Sequence, residues 1–186
     1  GLTATLKRKD GHHPIITMQC GPVCYHIDSR KQIEKSPCQH YAMIKNTNFN
    51  PENLPQDANI SEIYNALLND NNRNQMICDD VLSAIKNNRM PLLLTERTSH
   101  LPILEGILKG HVENIFILKG GLREKTRKKI LDDLFSLPEH STRLIIATGK
   151  YIGEGFDDPR LDTLFLALPI SWQGTLQQYV GRLHRN

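Results

Sequence analysis

From residue 91 to the end of the chain, short apolar runs alternate with stretches of helical character, and the connections between them are brief. Pro91 to Thr95 (Leu92, Leu93, Leu94 at its centre), Ile115 to Leu118, Arg143 to Ala147 and Thr163 to Ala167 read as buried strands. Helices are predicted from about His100 to Lys109, from about Leu122 to Leu137, and after Trp172. Strand–helix alternation with short links leaves few options: a parallel sheet covered by helices on both faces. In such sheets ligands bind beyond the carboxyl ends of the strands, where Thr148 and the loop to Asp158 fall.

Upstream of that region the pattern changes. Residues 60–89 read as two amphipathic helices split near Asp70-Asn71-Asn72-Arg73-Asn74, with apolar stripes at Ile60, Ile63, Leu67 and at Ile77, Val81, Leu82, Ile85. Thr47 to Asn59, rich in Asn and Pro, reads as a linker. Ile15 to Cys20 and Val23 to Ile27 are predicted as two strands around Gly21-Pro22, and Tyr41 to Ile44 as a third. The expected fold class is α/β, preceded by a small N-terminal β-containing appendage.

Composition sets outer bounds. The chain has 186 residues, enough for one ordinary domain with an appendage, and its formal charge of +3 permits a nucleic-acid partner without requiring one. No apolar run approaches the length of a membrane span. The absence of a signal peptide and the four cysteines without a secreted-type framework are expected to mean a cytoplasmic protein with reduced, buried thiols. The missing initiator Met leads to the expectation of a fragment. Cys20-x3-Cys24 with Cys38-x-His40 offers four ligand types, but not at the spacing of paired zinc-binding units, so no metal is expected.

Two segments carry the chemistry. Ala147-Thr148-Gly149 leads to Gly153-Glu154-Gly155-Phe156-Asp157-Asp158. Thr175-Leu176-Gln177-Gln178-Tyr179-Val180-Gly181-Arg182-Leu183-His184-Arg185 follows. Gln178, Arg182 and Arg185 are spaced i, i+4, i+7, so a continuous helix presents them on one side, while Leu176, Val180 and Leu183 share another face and are expected to pack inward. Two guanidinium groups on a rigid element suit a polyphosphate, because they are permanently charged and donate bidentately. A solvated basic face, or a capping box formed by Thr175 and Gln178, is the alternative use of the same residues.

Gln-x-x-Gly-Arg-x-x-Arg resembles motif VI of the superfamily-two helicases, and the Thr-Gly…Glu-Gly-Phe-Asp segment resembles their motif V. The nearest relatives in style are the helicase subunits of restriction-type systems and similar DNA-repair helicases. The resemblance implies a RecA-like, three-layer P-loop NTPase fold, in its second lobe, over residues 51–186, cut short at its C-terminal end. Residues 1–50 would hold the end of the first lobe and a linker. Gly1-Leu2-Thr3-Ala4-Thr5 resembles motif III, with Leu6 where the family has proline.

The same resemblance assigns roles. Arg182 and Arg185 would be catalytic, approaching the triphosphate of ATP, with Gly155, Asp157 and Gln178 also on the nucleotide side. Thr148 and Gly149 would hold a phosphate of a nucleic-acid strand. Leu92-Leu93-Leu94-Thr95-Glu96-Arg97 resembles motif IV, whose contacts to that strand would fall on Thr95 and Arg97; an ordinary buried strand is the other reading. Gly120 and Gly121, next to Lys119, Arg123, Lys125, Arg127, Lys128 and Lys129, could track phosphates at a helix N-terminus, or simply be solvated.

The chain contains no Gly-x-x-x-x-Gly-Lys-Ser/Thr and no Asp-Glu pair ending a strand. ATP and Mg2+ would therefore be held mainly by a first RecA-like domain of the same polypeptide, and this chain alone is expected to be inactive. The function implied is the C-terminal motor domain of an ATP-dependent helicase or translocase, with DNA rather than RNA as the expected track and nuclease or methyltransferase domains as possible companions. The alternative is a helicase-like module that binds nucleic acid or protein without turning over ATP. No Gly-x-Gly-x-x-Gly follows a strand, which argues against a dinucleotide enzyme.

Overall fold

A computed structural model of the chain describes residues 11–25, 41–153, 156–170, 173–181 and 183. Its helices are α1 (His13–Cys20), α2 (Ile60–Asn69), α3 (Asn71–Lys86), α4 (Leu101–Leu108), α5 (Glu124–Ser136), α6 (Gly149–Gly153) and α7 (Gln173–Val180). The strands are β1 (Pro91–Thr95), β2 (Ile115–Leu118), β3 (Leu144–Thr148) and β4 (Thr163–Leu166).

The strands form one sheet in the order β2-β3-β1-β4, with every pairing parallel. β1 and β3 are buried along their whole length, as expected of central strands covered on both faces, whereas β2 and β4 are partly exposed edges. Alternation along each strand sorts the core. Leu93, Leu144 and Ile146 face α3 and α4, packing with Ile77, Val81, Leu101, Leu104 and Leu108. Leu92, Leu94, Ile145 and Ala147 face the other way, against Leu134 of α5, Tyr151 and Ile152 of α6, Phe156 and Tyr179 of α7. The result is the three-layer α/β arrangement predicted from the strand–helix alternation.

The helical hairpin of α2 and α3 begins on its own signals. Asn59 accepts the amides of Ser61 and Glu62, and the Glu62 carboxylate accepts the Asn59 amide in return, which is a complete capping box. Asp70 ends α2 and caps α3 by accepting the Arg73 amide. Arg73 then donates to the Ala167 carbonyl and the Tyr64 hydroxyl to that of Pro169, tying the hairpin to the chain that leaves β4.

The N-terminal region departs from expectation. Ile15 to Cys20 is helical, not a strand: Pro14 sits in the first turn, where its fixed φ suits a helix, and Gly21 ends the helix at φ 80°. Among the described residues, 23–25 and 41–44 belong to no strand, and Val23, Tyr25, Tyr41, Met43 and Ile44 are exposed. Among the described residues, Cys20 and Cys24 are exposed rather than buried, and Cys78 is buried. Cys38 and His40, and the motif III-like Gly1 to Thr5, lie outside the described residues.

Candidate functional site at the carboxyl ends of the central strands

Strand register lines up the ends of the sheet. Thr95 pairs with Thr148, Leu118 with Ala147 and Leu94 with Leu166. Lys119-Gly120-Gly121, Thr148-Gly149 and Thr95-Glu96-Arg97 thus stand at one level along a single rim. The chain leaving β1 enters α4 on one face, and the chain leaving β3 enters α6 on the opposite face. Adjacent strands whose connections diverge in this way open a crevice between them, the point at which parallel sheets bind ligands.

Within this crevice the Tyr179 hydroxyl donates to Glu96 Oε1 at 3.2 Å. Gly149 lies directly beneath. A Cβ on residue 149 would overlap the Tyr179 hydroxyl and stand 2.5 Å from Glu96 Oε1 and 2.7 Å from Tyr179 Cζ. Only a residue without a side chain lets the two groups meet there. Burial, and then the neighbouring Glu96 carboxylate, push the Tyr179 phenol above its ordinary range, so it remains a donor. Loops from β1 and β3 and the last helix converge on this point.

Thr95 is buried, and its hydroxyl is used inside the lobe. Asn74 Nδ2 donates to the Leu68 carbonyl, which turns Asn74 Oδ1 toward His100 Nε2 at 2.9 Å. Nε2 therefore carries the proton, and Nδ1 accepts from Thr95 Oγ1 at 3.1 Å. Thr95 Oγ1 in turn accepts the Arg97 amide. The Arg97 guanidinium reaches toward α2, 5.2 Å from the Tyr64 ring centroid and bonded to Ser61 Oγ. Of the two residues expected to contact a strand after β1, Thr95 points inward and Arg97 braces α2, and Glu96 between them is exposed.

Thr148 is buried at the strand end, and Gly149 opens α6. Gly120 and Gly121 close β2, Gly121 at φ 79°, and Lys119, Arg123, Lys125, Arg127, Lys128 and Lys129 beside them are exposed. Arg127 also lies 5.9 Å over the Tyr151 ring. Asp157 is exposed. Its neighbour Asp158 is fully buried and clasps Arg160 through two contacts, at 2.7 and 2.9 Å.

The last helix differs from the expected one. α7 ends at Val180, with Gly181 in a turn and Leu183 in a bend. Glycine favours ending a helix there. Leu176 and Val180 are 38% and 44% exposed, and the side chain that packs inward is Tyr179 at 3%, with Leu183 partly buried against the same cluster. Gln178 is exposed. Gly155, Arg182 and Arg185 lie outside the described residues. Sequence periodicity missed Tyr179, Glu96, His100 and Asn74. Asn74 was within reach, since it lies i−3, i−4 and i−7 from Ile77, Cys78 and Val81 on one buried stripe of α3.

The parallel order, the covering helices and the crevice define a RecA-like fold of the kind found in helicase-type ATPase domains. The C-terminal part of the Fun30 ATPase domain superposes with a TM-score of 0.54 at 16% identity, covering 63% of this chain and 38% of that one. T4 UvsW superposes with a TM-score of 0.57 at 16% identity, covering 68% of this chain and 25% of that one. In sequence, the chain is 26% identical over 137 residues to transcript termination protein A18 of Fowlpox virus (strain NVSL). That match covers 72% of this chain and 29% of the relative, so the chain spans well under half the length of that protein. No protein-family model matches the chain. No helix among the described residues is long and apolar enough to cross a membrane.

Proposed function

We propose that this chain is the C-terminal motor lobe of an ATP-dependent helicase or translocase of superfamily two, working with a first RecA-like domain of the same polypeptide. The observation that carries the reading is the rim crevice, where the Thr95 and Thr148 strand ends, Gly149 and the Gln178-bearing helix meet. Backbone amides at Thr148-Gly149 and Gly120-Gly121 suit phosphates of a nucleic-acid strand, and the exposed basic face of α5 adds favourable charge along the same rim. A relative whose name places it at transcript termination is in keeping with a nucleic-acid track. DNA is the expected track, and a cytoplasmic protein of restriction or repair type the expected setting.

The sequence offers one wall of a nucleotide site. Gln178 is exposed on α7, and the motif places Arg182 and Arg185 just after it, but the chain has no glycine-rich loop with a lysine to cradle phosphates. ATP bound on the first domain supplies the phosphoryl group. From this side Arg182 and Arg185 would offset charge on that group, Gln178 would help register the two domains, and the Gly155–Asp157 segment would line the same cleft. Replacing Arg185 or Arg182 by Ala in the intact protein should lower turnover on the order of a thousandfold. An unchanged rate removes that role. The isolated 186-residue chain should hydrolyse ATP negligibly, and robust turnover by it refutes the division of labour.

A further inference from the structure

Glu96 and Tyr179 belong to elements that the motif assignments leave unlinked: the loop after β1 and the helix that carries Gln178. The β1 loop is clamped on both sides of Glu96, by Thr95 to His100 and by Arg97 to Tyr64 and Ser61. Its carboxylate is what this loop extends across the crevice. Among the described side chains of α7, Leu176 and Val180 are exposed and Tyr179 is buried. Successive helical residues point about 100° apart, so fixing the Tyr179 hydroxyl fixes where Gln178 projects. Gly149, the residue after the Thr148 strand end, lies in contact with both partners. A backbone shift of tenths of an ångström at Gly149 would press directly on the hydroxyl–carboxylate bond.

We infer that Tyr179 is a positioning residue: its hydroxyl bond to Glu96 across Gly149 sets the pose of the C-terminal helix according to what occupies the strand-end loops. A nucleic-acid strand seated at Thr148-Gly149 would thereby report to the residues that face the nucleotide. Neither side chain need touch strand or nucleotide. This inference rests on the proposed function.

The test uses the intact protein, assayed for ATP hydrolysis with and without single-stranded DNA and RNA oligonucleotides. A wild-type protein with no nucleic-acid stimulation overturns the proposed function and this inference with it. Where wild type is stimulated, Tyr179→Phe should keep its basal rate and its KM for ATP while losing about tenfold in stimulation, the worth of a hydrogen bond to a charged partner. Glu96→Ala should do the same, the double variant should be no worse than either single one, and Glu96→Gln, which still offers an amide oxygen, should recover most of the loss. If Tyr179→Phe fails to fold, Glu96→Ala and Glu96→Gln carry the comparison, because Glu96 is exposed. Wild-type stimulation in Tyr179→Phe or Glu96→Ala, or additive losses in the double variant, refutes the positioning role and leaves the motor assignment standing.

Discussion

The hydroxyl of Tyr179 and the carboxylate of Glu96 are 83 residues apart in sequence and 3.2 Å apart in space, meeting over the bare Cα of Gly149. Gly149→Ala should therefore destabilise the protein through overlap, by about 1–3 kcal/mol. Adding Tyr179→Phe removes the worst of the overlap. The double variant Gly149→Ala/Tyr179→Phe should be more stable than the sum of the singles allows, as read from urea denaturation midpoints. Strict additivity would mean that Gly149 is not packed beneath this pair.

His100 makes stability depend on pH. Burial, and then the nearby Arg73, pull its ring down to about 4 from an ordinary 6.5, and both ring nitrogens are engaged in the neutral form. Between these values the unfolded chain binds a proton that the folded one does not, so stability rises with pH across that window. The His100 contribution is fully present above 6.5 and is lost as pH falls toward 4, to a limit of about 3 kcal/mol. His100→Gln should lower the midpoint at pH 7.5 and flatten the slope between pH 6.5 and 4 in urea titrations. An unchanged slope would show that His100 is not held neutral.

Asp158 is fully buried, accepts three bonds from Arg160 and lies close to the buried Arg143. Arg143 donates to the Glu139 carbonyl, but its Nε and Nη1 have no hydrogen-bond partner, so the local balance of charge leans on Asp158. Asp158→Ala should cost about 3 kcal/mol, since it leaves desolvated cations without their counter-charge. Asp158→Asn, which keeps the shape, should cost less. Equal, small losses in calorimetry would mean that the cluster is hydrated in solution.

Much of this architecture could be read from residue order because the central strands are covered on both faces. Leu92-Leu93-Leu94 and Leu144-Ile145-Ile146 are continuous apolar runs bounded by turns, and the parallel α/β layering follows from them. Predicted bounds for β3 and β4 shift by a residue, since a strand end is set by its partner rather than by its own composition. Short runs nearer the N-terminus were misread for a related reason: six apolar-rich residues suit a strand or a helix equally, and Pro14 decides for helix. Within α7, periodicity favoured Leu176 and Val180, but the inward position went to Tyr179 because a carboxylate in a distant loop accepts its hydroxyl. That pairing leaves no periodic trace. The glycine of the Thr-Gly segment was legible as special, but its reason, contact with Tyr179, was not.

The Asn59–Glu62 box that opens α2 has a practical consequence. Amides of the first turn of that helix are taken by Asn59 just ahead of it, and the hairpin is bonded onward, from Tyr64 of α2 and Arg73 of α3, to the chain leaving β4. A graft joined just ahead of Asn59 would arrive with its own start signal and its own fastening to the sheet, which makes this seam a natural one for exchanging this domain between related chains.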